Sequence, residues 1–175
     1  MQSPLRRALI LWITLAVTGA CCATPDPAVV DDGAETSAGS DPVAAAPSRI
    51  LAAYNEGALD ALSPWVHPEV VRIDSGPPVR GRAPYLDTIR ALRQAFPDLQ
   101  VAPVHAKRVE NTWNITWRWS GTHKGTLAGW SPSGNKVKHG GKSTYVFEGG
   151  LLVRIEVEAD PEQLVRQLQR SPSDQ

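Results

Sequence analysis

The chain has 175 residues, 42% of them hydrophobic, which is enough for one domain with a packed core and an appendage. Its 18 basic and 18 acidic residues balance, and the part after Ser48 holds 16 basic against 13 acidic residues, a net charge of +3. This excess is too small for the concentrated basic face that nucleic-acid binding requires, so we expect no nucleic-acid partner.

The first 21 residues have the pattern of an export signal. Two arginines precede an apolar stretch of ten residues, 8–17 (ALILWITLAV), and small residues follow before Cys21. The stretch is short for a spanning helix, and small residues ending in a cysteine resemble a bacterial lipoprotein signal. We expect an exported protein anchored to a bacterial envelope by lipid on Cys21. The alternative is cleavage near Ala23, which would release a secreted or periplasmic protein.

Residues 22–47 are rich in Ala, Pro, Asp, Gly and Ser and show no helical or strand period, so we expect a disordered tether. The domain is expected to cover residues 48–170, with 171–175 as a tail. Both cysteines, Cys21 and Cys22, precede the domain. The domain therefore has no disulfide framework, no zinc-cysteine site and no cysteine catalysis.

The domain begins with a helical pattern. Ser48 is the expected cap of a first helix, and a second short helix is predicted near residues 59–66. Residues 70–74 (VVRID) predict a short strand. Residues 84–96 predict a helix that Pro97 ends, because apolar residues recur there every three or four positions.

Four predicted strands follow, over residues 99–107, 113–120, 136–147 and 151–159. The second, WNITWRWS, alternates cleanly and places its three tryptophans and Ile115 on one face. Asp160-Pro161 then begins a short terminal helix. Helices segregated from antiparallel strands indicate an α+β fold: one curved antiparallel sheet wrapped around about three helices, with a pocket at the wide end of the cone.

Several short motifs stand in order along this domain. They are Tyr54-Asn55-Glu56-Gly57, Ala95-Phe96-Pro97-Asp98-Leu99, Gly121-Thr122-His123-Lys124-Gly125, then Gly129, Pro132 and Gly134, and last Phe147 with the Gly149-Gly150 turn. In this order they resemble the SnoaL-like polyketide cyclase (ester cyclase) group of the nuclear-transport-factor-2-like superfamily. The resemblance covers about residues 50–168 and implies a cystatin-like roll.

By this resemblance, residues 121–137 (GTHKGTLAGWSPSGNKV) connect two central strands, and their glycines serve the backbone. Neither GxGxxG nor GxxxxGK[ST] occurs in the sequence, so nucleotide binding has no support.

The resemblance also implies a chemistry, in which an acid/base group moves a proton next to a substrate carbonyl during an aldol closure, without metal or cofactor. Such a reaction needs a carboxylate or histidine in a partly dry pocket and a donor for the enolate oxygen. Asp160 matches the group's aspartate and is the candidate acid/base; the alternative is a helix N-cap. His123 is the candidate donor or second base; the alternative is a loop histidine that orders its turn.

Glu156 and Glu158 share the strand face of Asp160, together with Arg154. This face either lines the pocket or faces water with an arginine–glutamate contact, and the wholly apolar opposite face favours water. Relatives in the group usually carry Trp at position 156, so the sequence departs from the group here.

Tyr54, Trp65, Trp117 and Trp119 are candidate pocket walls, or else ordinary core. Asp74 is a candidate at the pocket mouth, or else a turn residue. The remaining histidines show no metal-ligand spacing, so no metal is assigned; they are His67, His105 and His139.

Three functions stay open. The leading one is an exported domain that binds a small, mostly apolar, carbonyl-bearing molecule and performs a cofactor-free proton transfer of the cyclase or isomerase type. The second is a non-catalytic ligand or partner receptor tethered to the envelope. The third is a homodimer formed through the outer face of the sheet.

Overall fold

The computed structural model describes residues 41–170, in which a curved, unclosed sheet of six strands lies with four helices. In chain order the elements are α1 (Ala46–Glu56), α2 (Leu59–Leu62), a 3-10 turn (Ser63–Trp65), β1 (Val66–Ile73), β2 (Val79–Arg80), α3 (Arg82–Ala95), β3 (Gln100–Val109), β4 (Thr112–Thr122), β5 (Lys136–Glu148), β6 (Leu151–Ala159) and α4 (Pro161–Leu168). The strand order is β2-β1-β6-β5-β4-β3. The expected α+β fold is confirmed.

Two features of the sheet differ from the expectation. β1 runs parallel to β6, whereas the other neighbouring strands are antiparallel. β2 has two residues and pairs with β1 at one edge, and a strand of that length leaves no periodic signal in the sequence.

The folded part begins before the expected boundary at Ser48. α1 starts at Ala46, since Pro47 lies in its first turn, where a proline is well tolerated. Val43 is buried in the core, and its carbonyl oxygen accepts a hydrogen bond from Trp113 Nε1 at 2.7 Å. Residues 41–47 therefore pack with the domain. The leader with Cys21, the rest of the tether and the tail lie outside the described residues.

A bulge in β6 decides which of its side chains face the core. Val146 pairs with Arg154 and Phe147 with Leu152, so Val153 has no partner of its own in this register. Leu152 and Ile155 are both buried, although strict alternation would put them on opposite faces.

Within residues 41–170, no helix is both long enough and apolar enough to span a membrane.

Candidate functional site

A cavity of about 460 Å³ lies between the inner face of the sheet and the helices. Much of its wall is apolar, with contributions from α1, α3, β3, β4, β6 and α4; examples are Ile50, Leu92, Val101, Ile115, Val157 and Leu164. Its polar groups include Tyr54, Arg72, Thr88, His139, Ser143 and Tyr145. A mostly apolar cavity with a few polar side chains is the usual form of a small-molecule site.

Strand alternation brings several β5 side chains into this cavity. His139, Ser143 and Tyr145 stand on one face of β5, with Gly141 between them. A Cβ atom at Gly141 would lie 2.8 Å from Trp117 Cζ2, so the indole of Trp117 lies where a larger residue would stand. Trp117 Nε1 donates to Ser143 Oγ at 2.8 Å, which fixes both side chains.

His139 is the histidine of the cavity wall. Its side chain is 8% exposed, and its ring packs near Trp117 and Trp119, with centroid separations of 6.1 and 5.7 Å. Nδ1 lies 3.0 Å from Gln163 Oε1. Because an amide oxygen only accepts hydrogen bonds, this contact selects the tautomer with the proton on Nδ1. In the neutral form of the ring Nε2 then carries the lone pair, and Nε2 makes no hydrogen bond within residues 41–170.

Arg72 is the charged group that enters the cavity from β1. Its Nη1 donates to Thr88 Oγ1 at 2.8 Å, and its Nη2 lies 3.3 Å from Asp74 Oδ2. Its Nε is buried and has no hydrogen-bond partner among the described residues. The cavity thus contains a guanidinium whose donors are only partly satisfied.

Three tyrosines surround this guanidinium. Burial, the largest effect, raises the pKa of Tyr54, Tyr85 and Tyr145, while the charge of Arg72 lowers each pKa to a smaller extent. All three hydroxyls therefore stay protonated near neutral pH and can donate hydrogen bonds. Tyr54 and Tyr145 line the cavity, and the hydroxyl of Tyr85 is buried without a partner in residues 41–170.

Two of the sequence motifs meet at the end of α3. Thr122 donates to Asp98 through its backbone N and its hydroxyl, both at 2.7 Å. Lys124 N and Gly125 N both donate to Ala95 O, at 2.9 and 3.0 Å. We call this contact between residues 95–98 and 121–125 the clamp. It explains why FPDL and GTHKG occur together, since each motif supplies partners for the other.

The middle of the β4–β5 connection reaches the cavity. Leu127 and Trp130 exchange two backbone hydrogen bonds, of 3.0 and 2.8 Å, across a tight turn. Gly129 in this turn has a φ of 87°, which glycine adopts without strain. Leu127 and Ala128 line the cavity. The connection is therefore part of the cavity wall.

The sequence profile of the SnoaL-like polyketide cyclase family matches residues 44–168. The chain belongs to this family. Three solved structures have the same fold: AclR from Streptomyces galilaeus (22% identity, TM-score 0.64, 74% of this chain and 82% of that one), a SnoaL-like protein from Jannaschia sp. CCS1 (17%, 0.69, 82% and 100%) and TsrD from Streptomyces laurentii (27%, 0.66, 74% and 96%). No curated protein matches the chain.

Within this SnoaL-like domain, four of the candidate wall residues line the cavity: Tyr54, Asp74, Trp117 and Trp119. The structure places Trp65, the remaining candidate wall aromatic, away from this cavity: the Arg49 guanidinium stacks on the Trp65 ring, 3.7 Å from its centroid.

The structure places Glu156 outside the cavity as well. Its side chain is 46% exposed and accepts from Arg154 Nε at 2.7 Å on the outer face of the sheet. This is the solvated strand face that the apolar pattern of β6 favoured.

Asp160 lies outside the cavity wall of the SnoaL-like domain, at the N-cap of α4. Its Oδ1 accepts from the backbone N of Glu162 and Gln163 at 2.9 and 3.1 Å. The hydrogen bond from the backbone N–H of Gln163 has the largest effect on the exposed Asp160 carboxyl, and it lowers the pKa of that group. A carboxylate with a lowered pKa that holds a helix end is a poor proton acceptor at neutral pH. Asp160 acts on the cavity in two ways: it caps the helix that carries Gln163, whose side chain holds His139, and its charge interacts with His139.

His123 also lies outside the cavity wall, buried in the connection after β4. Its Nδ1 accepts from Ser133 N at 3.1 Å, and its ring packs against Phe96 with centroids 5.3 Å apart. Burial lowers the pKa of His123, and the Gly125 backbone offsets this only in part. The structure gives this histidine the role of ordering its turn.

Sequence reasoning missed His139, Arg72 and Tyr145. A signal existed for two of them, because His139 and Tyr145 fall on the same alternating face of the predicted strand 136–147 as Val137 and Phe147. Arg72 had no such signal, since an arginine on a short strand is usually solvated.

Within residues 41–170, no group of three or more His, Cys, Asp or Glu residues is arranged to hold a metal ion.

Proposed function

We propose that this SnoaL-like domain binds a small, mostly apolar, carbonyl-bearing molecule in the cavity and moves a proton next to that carbonyl, with His139 as the acid/base. The observation that supports this is the His139 ring itself. It lines the cavity, Gln163 holds its Nδ1, and its Nε2 is left with a lone pair. Histidine is the commonest general acid/base in enzymes.

The surroundings of His139 suit proton transfer to and from carbon. Trp117, Trp119 and Leu164 form an apolar wall that limits water around the bound molecule. Ser143 and Tyr145 supply hydroxyls farther along the same strand face, where they can bind a second polar group of the bound molecule. Burial raises the pKa of Tyr145, partly offset by a hydrogen bond with Ser143, so Tyr145 remains a donor.

Proton exchange at a model ketone tests the proposal. 2-Acetylnaphthalene exchanges its methyl protons in D₂O, and NMR gives the rate with and without the full-length protein. We expect the protein to accelerate exchange and His139→Gln to lower the acceleration by about 100-fold, the range typical of a lost general base. His105→Gln is the matched control, because His105 is exposed on β3. Equal rates for the wild type and His139→Gln would overturn the catalytic role.

One observation favours a second candidate, the non-catalytic receptor. Of the carboxylates in residues 41–170, only Asp74 lines the cavity, and it is engaged by Arg72. The same NMR experiment separates the two functions. A receptor would shift the NMR signals of 2-acetylnaphthalene on binding and leave its exchange rate unchanged.

We also propose that the domain works outside the cytoplasm, held to a bacterial envelope by lipid on Cys21. The support is the leader, with its two arginines, ten apolar residues and small residues before a cysteine. Intact mass of the protein in the membrane fraction tests this. Cys21→Ser should release the protein from that fraction, and Cys22→Ser should not. A Cys21→Ser protein that stays membrane-bound would contradict the anchor.

A further inference from the structure

The polar groups of the cavity fall into two sets at different strand positions. On β5, His139 stands six positions before Tyr145, which corresponds to about 20 Å along a strand. Arg72 belongs with Tyr145, because Arg72 lies opposite Ile155 on β6 and Ile155 lies opposite Tyr145. The charged set and the acid/base set therefore occupy separate parts of one cavity.

The protein leaves the charge of Arg72 incompletely balanced. Its side chain is 19% exposed, and the carboxylate beside it, Asp74, is 32% exposed. Asp74 Oδ1 also accepts from Gly76 N at 2.9 Å, so this carboxylate is shared. The other partner of Arg72, the Thr88 hydroxyl, is neutral. A guanidinium in a mostly apolar cavity is costly to bury when its only counter-ion is shared with another donor. Binding of a further anion beside Arg72 is therefore favoured.

We propose that the ligand is an elongated, apolar carboxylic acid whose carboxylate binds Arg72, while its carbonyl-bearing part reaches towards His139. This inference rests on the proposed function and adds the class of substrate. The guanidinium offers donors in the planar arrangement that carboxylates match. The protonated hydroxyls of Tyr54 and Tyr145 supply further donors near it.

Charge is the feature by which this site would select its ligand. A neutral analogue of the same shape fills the apolar space and leaves the donors of Arg72 unpaired. A site built around a charged donor discriminates against such an analogue more strongly than an apolar pocket discriminates between two apolar bodies. The cavity would therefore bind an acid about tenfold or more tighter than the matching amide.

Calorimetry with 2-naphthoate and 2-naphthamide tests this on the full-length protein at neutral pH. The two probes share an aryl carbonyl body and differ in charge. We expect 2-naphthoate to bind at least tenfold tighter than 2-naphthamide. Arg72→Gln should abolish that preference, chiefly by weakening the binding of 2-naphthoate. Arg154→Gln, on the outer face with Glu156, is the matched control and should keep the preference.

Asp74→Asn tests the same charge balance with the opposite sign. It removes the competing carboxylate and keeps an oxygen for the Gly76 hydrogen bond, so 2-naphthoate should bind several-fold tighter. If Arg72→Gln fails to fold, this variant decides: tighter binding supports the inference, and unchanged or weaker binding overturns it. Equal affinity of the wild type for both probes overturns the inference and leaves the proposed function intact. Binding of neither probe overturns both.

Discussion

His123 and His139 are both nearly buried, at 0% and 8% exposure, yet they have different surroundings. His123 is enclosed by the connection after β4, bonded to Ser133 and packed on Phe96. His139 has one nitrogen held by Gln163 and its ring at a cavity. Burial alone therefore does not identify a functional histidine. The distinguishing feature is a ring nitrogen with a lone pair beside open volume.

The largest loss of stability is expected from a substitution in the clamp beside His123. At Gly125 an added Cβ would lie 2.3 Å from Gln94 O, a backbone atom that cannot move away cheaply. Gly125→Ala should lower the free energy of unfolding by about 3 kcal/mol, measured by urea denaturation. Gly76→Ala is the control, because an added Cβ there would lie 3.4 Å from its nearest neighbour, Asp74 Oδ1, which is an ordinary contact. Equal stability of the two variants would show that the clamp is loose.

Substituting the two histidines separates stability from activity. His123→Gln should lower the free energy of unfolding by about 2 kcal/mol, because a buried backbone N–H loses its acceptor. It should leave 2-naphthamide affinity unchanged. His139→Gln should cost about 1 kcal/mol or less and remove proton exchange. A larger loss of stability in His139→Gln than in His123→Gln would contradict the assignment of roles.

The pH dependence of stability should carry the signature of His123. Burial holds the pKa of His123 below the usual value of 6.5. Just below pH 6.5 the imidazole is therefore protonated more in the unfolded chain than in the folded chain. This contribution to stability is complete above pH 6.5 and is lost as pH falls below it. Urea titrations between about pH 7 and pH 5 should show stability falling towards acid. In His123→Gln the free energy of unfolding should depend less on pH over the same range. An unchanged dependence would show that another group causes it.

The smallest effect is expected at Asp160. Asparagine caps helices about as well as aspartate, so Asp160→Asn should keep α4, Gln163 and the orientation of His139. The exchange rate with 2-acetylnaphthalene and the melting temperature should stay close to the wild type. A fall in rate comparable to that of His139→Gln, with folding intact, would restore Asp160 as the acid/base.

Much of the fold could be predicted because its signals are local. The alternation in WNITWRWS gave β4 and its inward face, and Asp160-Pro161 gave the start of α4. The sequence did not reveal that the packed part begins before Ser48, because the packing of Val43 against distant strands leaves no signal in a stretch rich in alanine and proline. The inward face of β6 depended on the bulge at Val153, whose register is set by β5.

The sequence by itself determined the class of fold, the family and the order of the elements, because periodicity, caps and turn residues act within a few positions. The sequence indicated part of the cavity wall, but tertiary structure decided which polar groups share the site. Tyr54, Arg72, His139 and Tyr145 come from α1, β1 and β5 and meet only when the sheet curves around the helices. Whether a polar side chain faces water, a core or a cavity depends on such distant neighbours. For that reason Asp160 and His139 could not be told apart before the chain was folded.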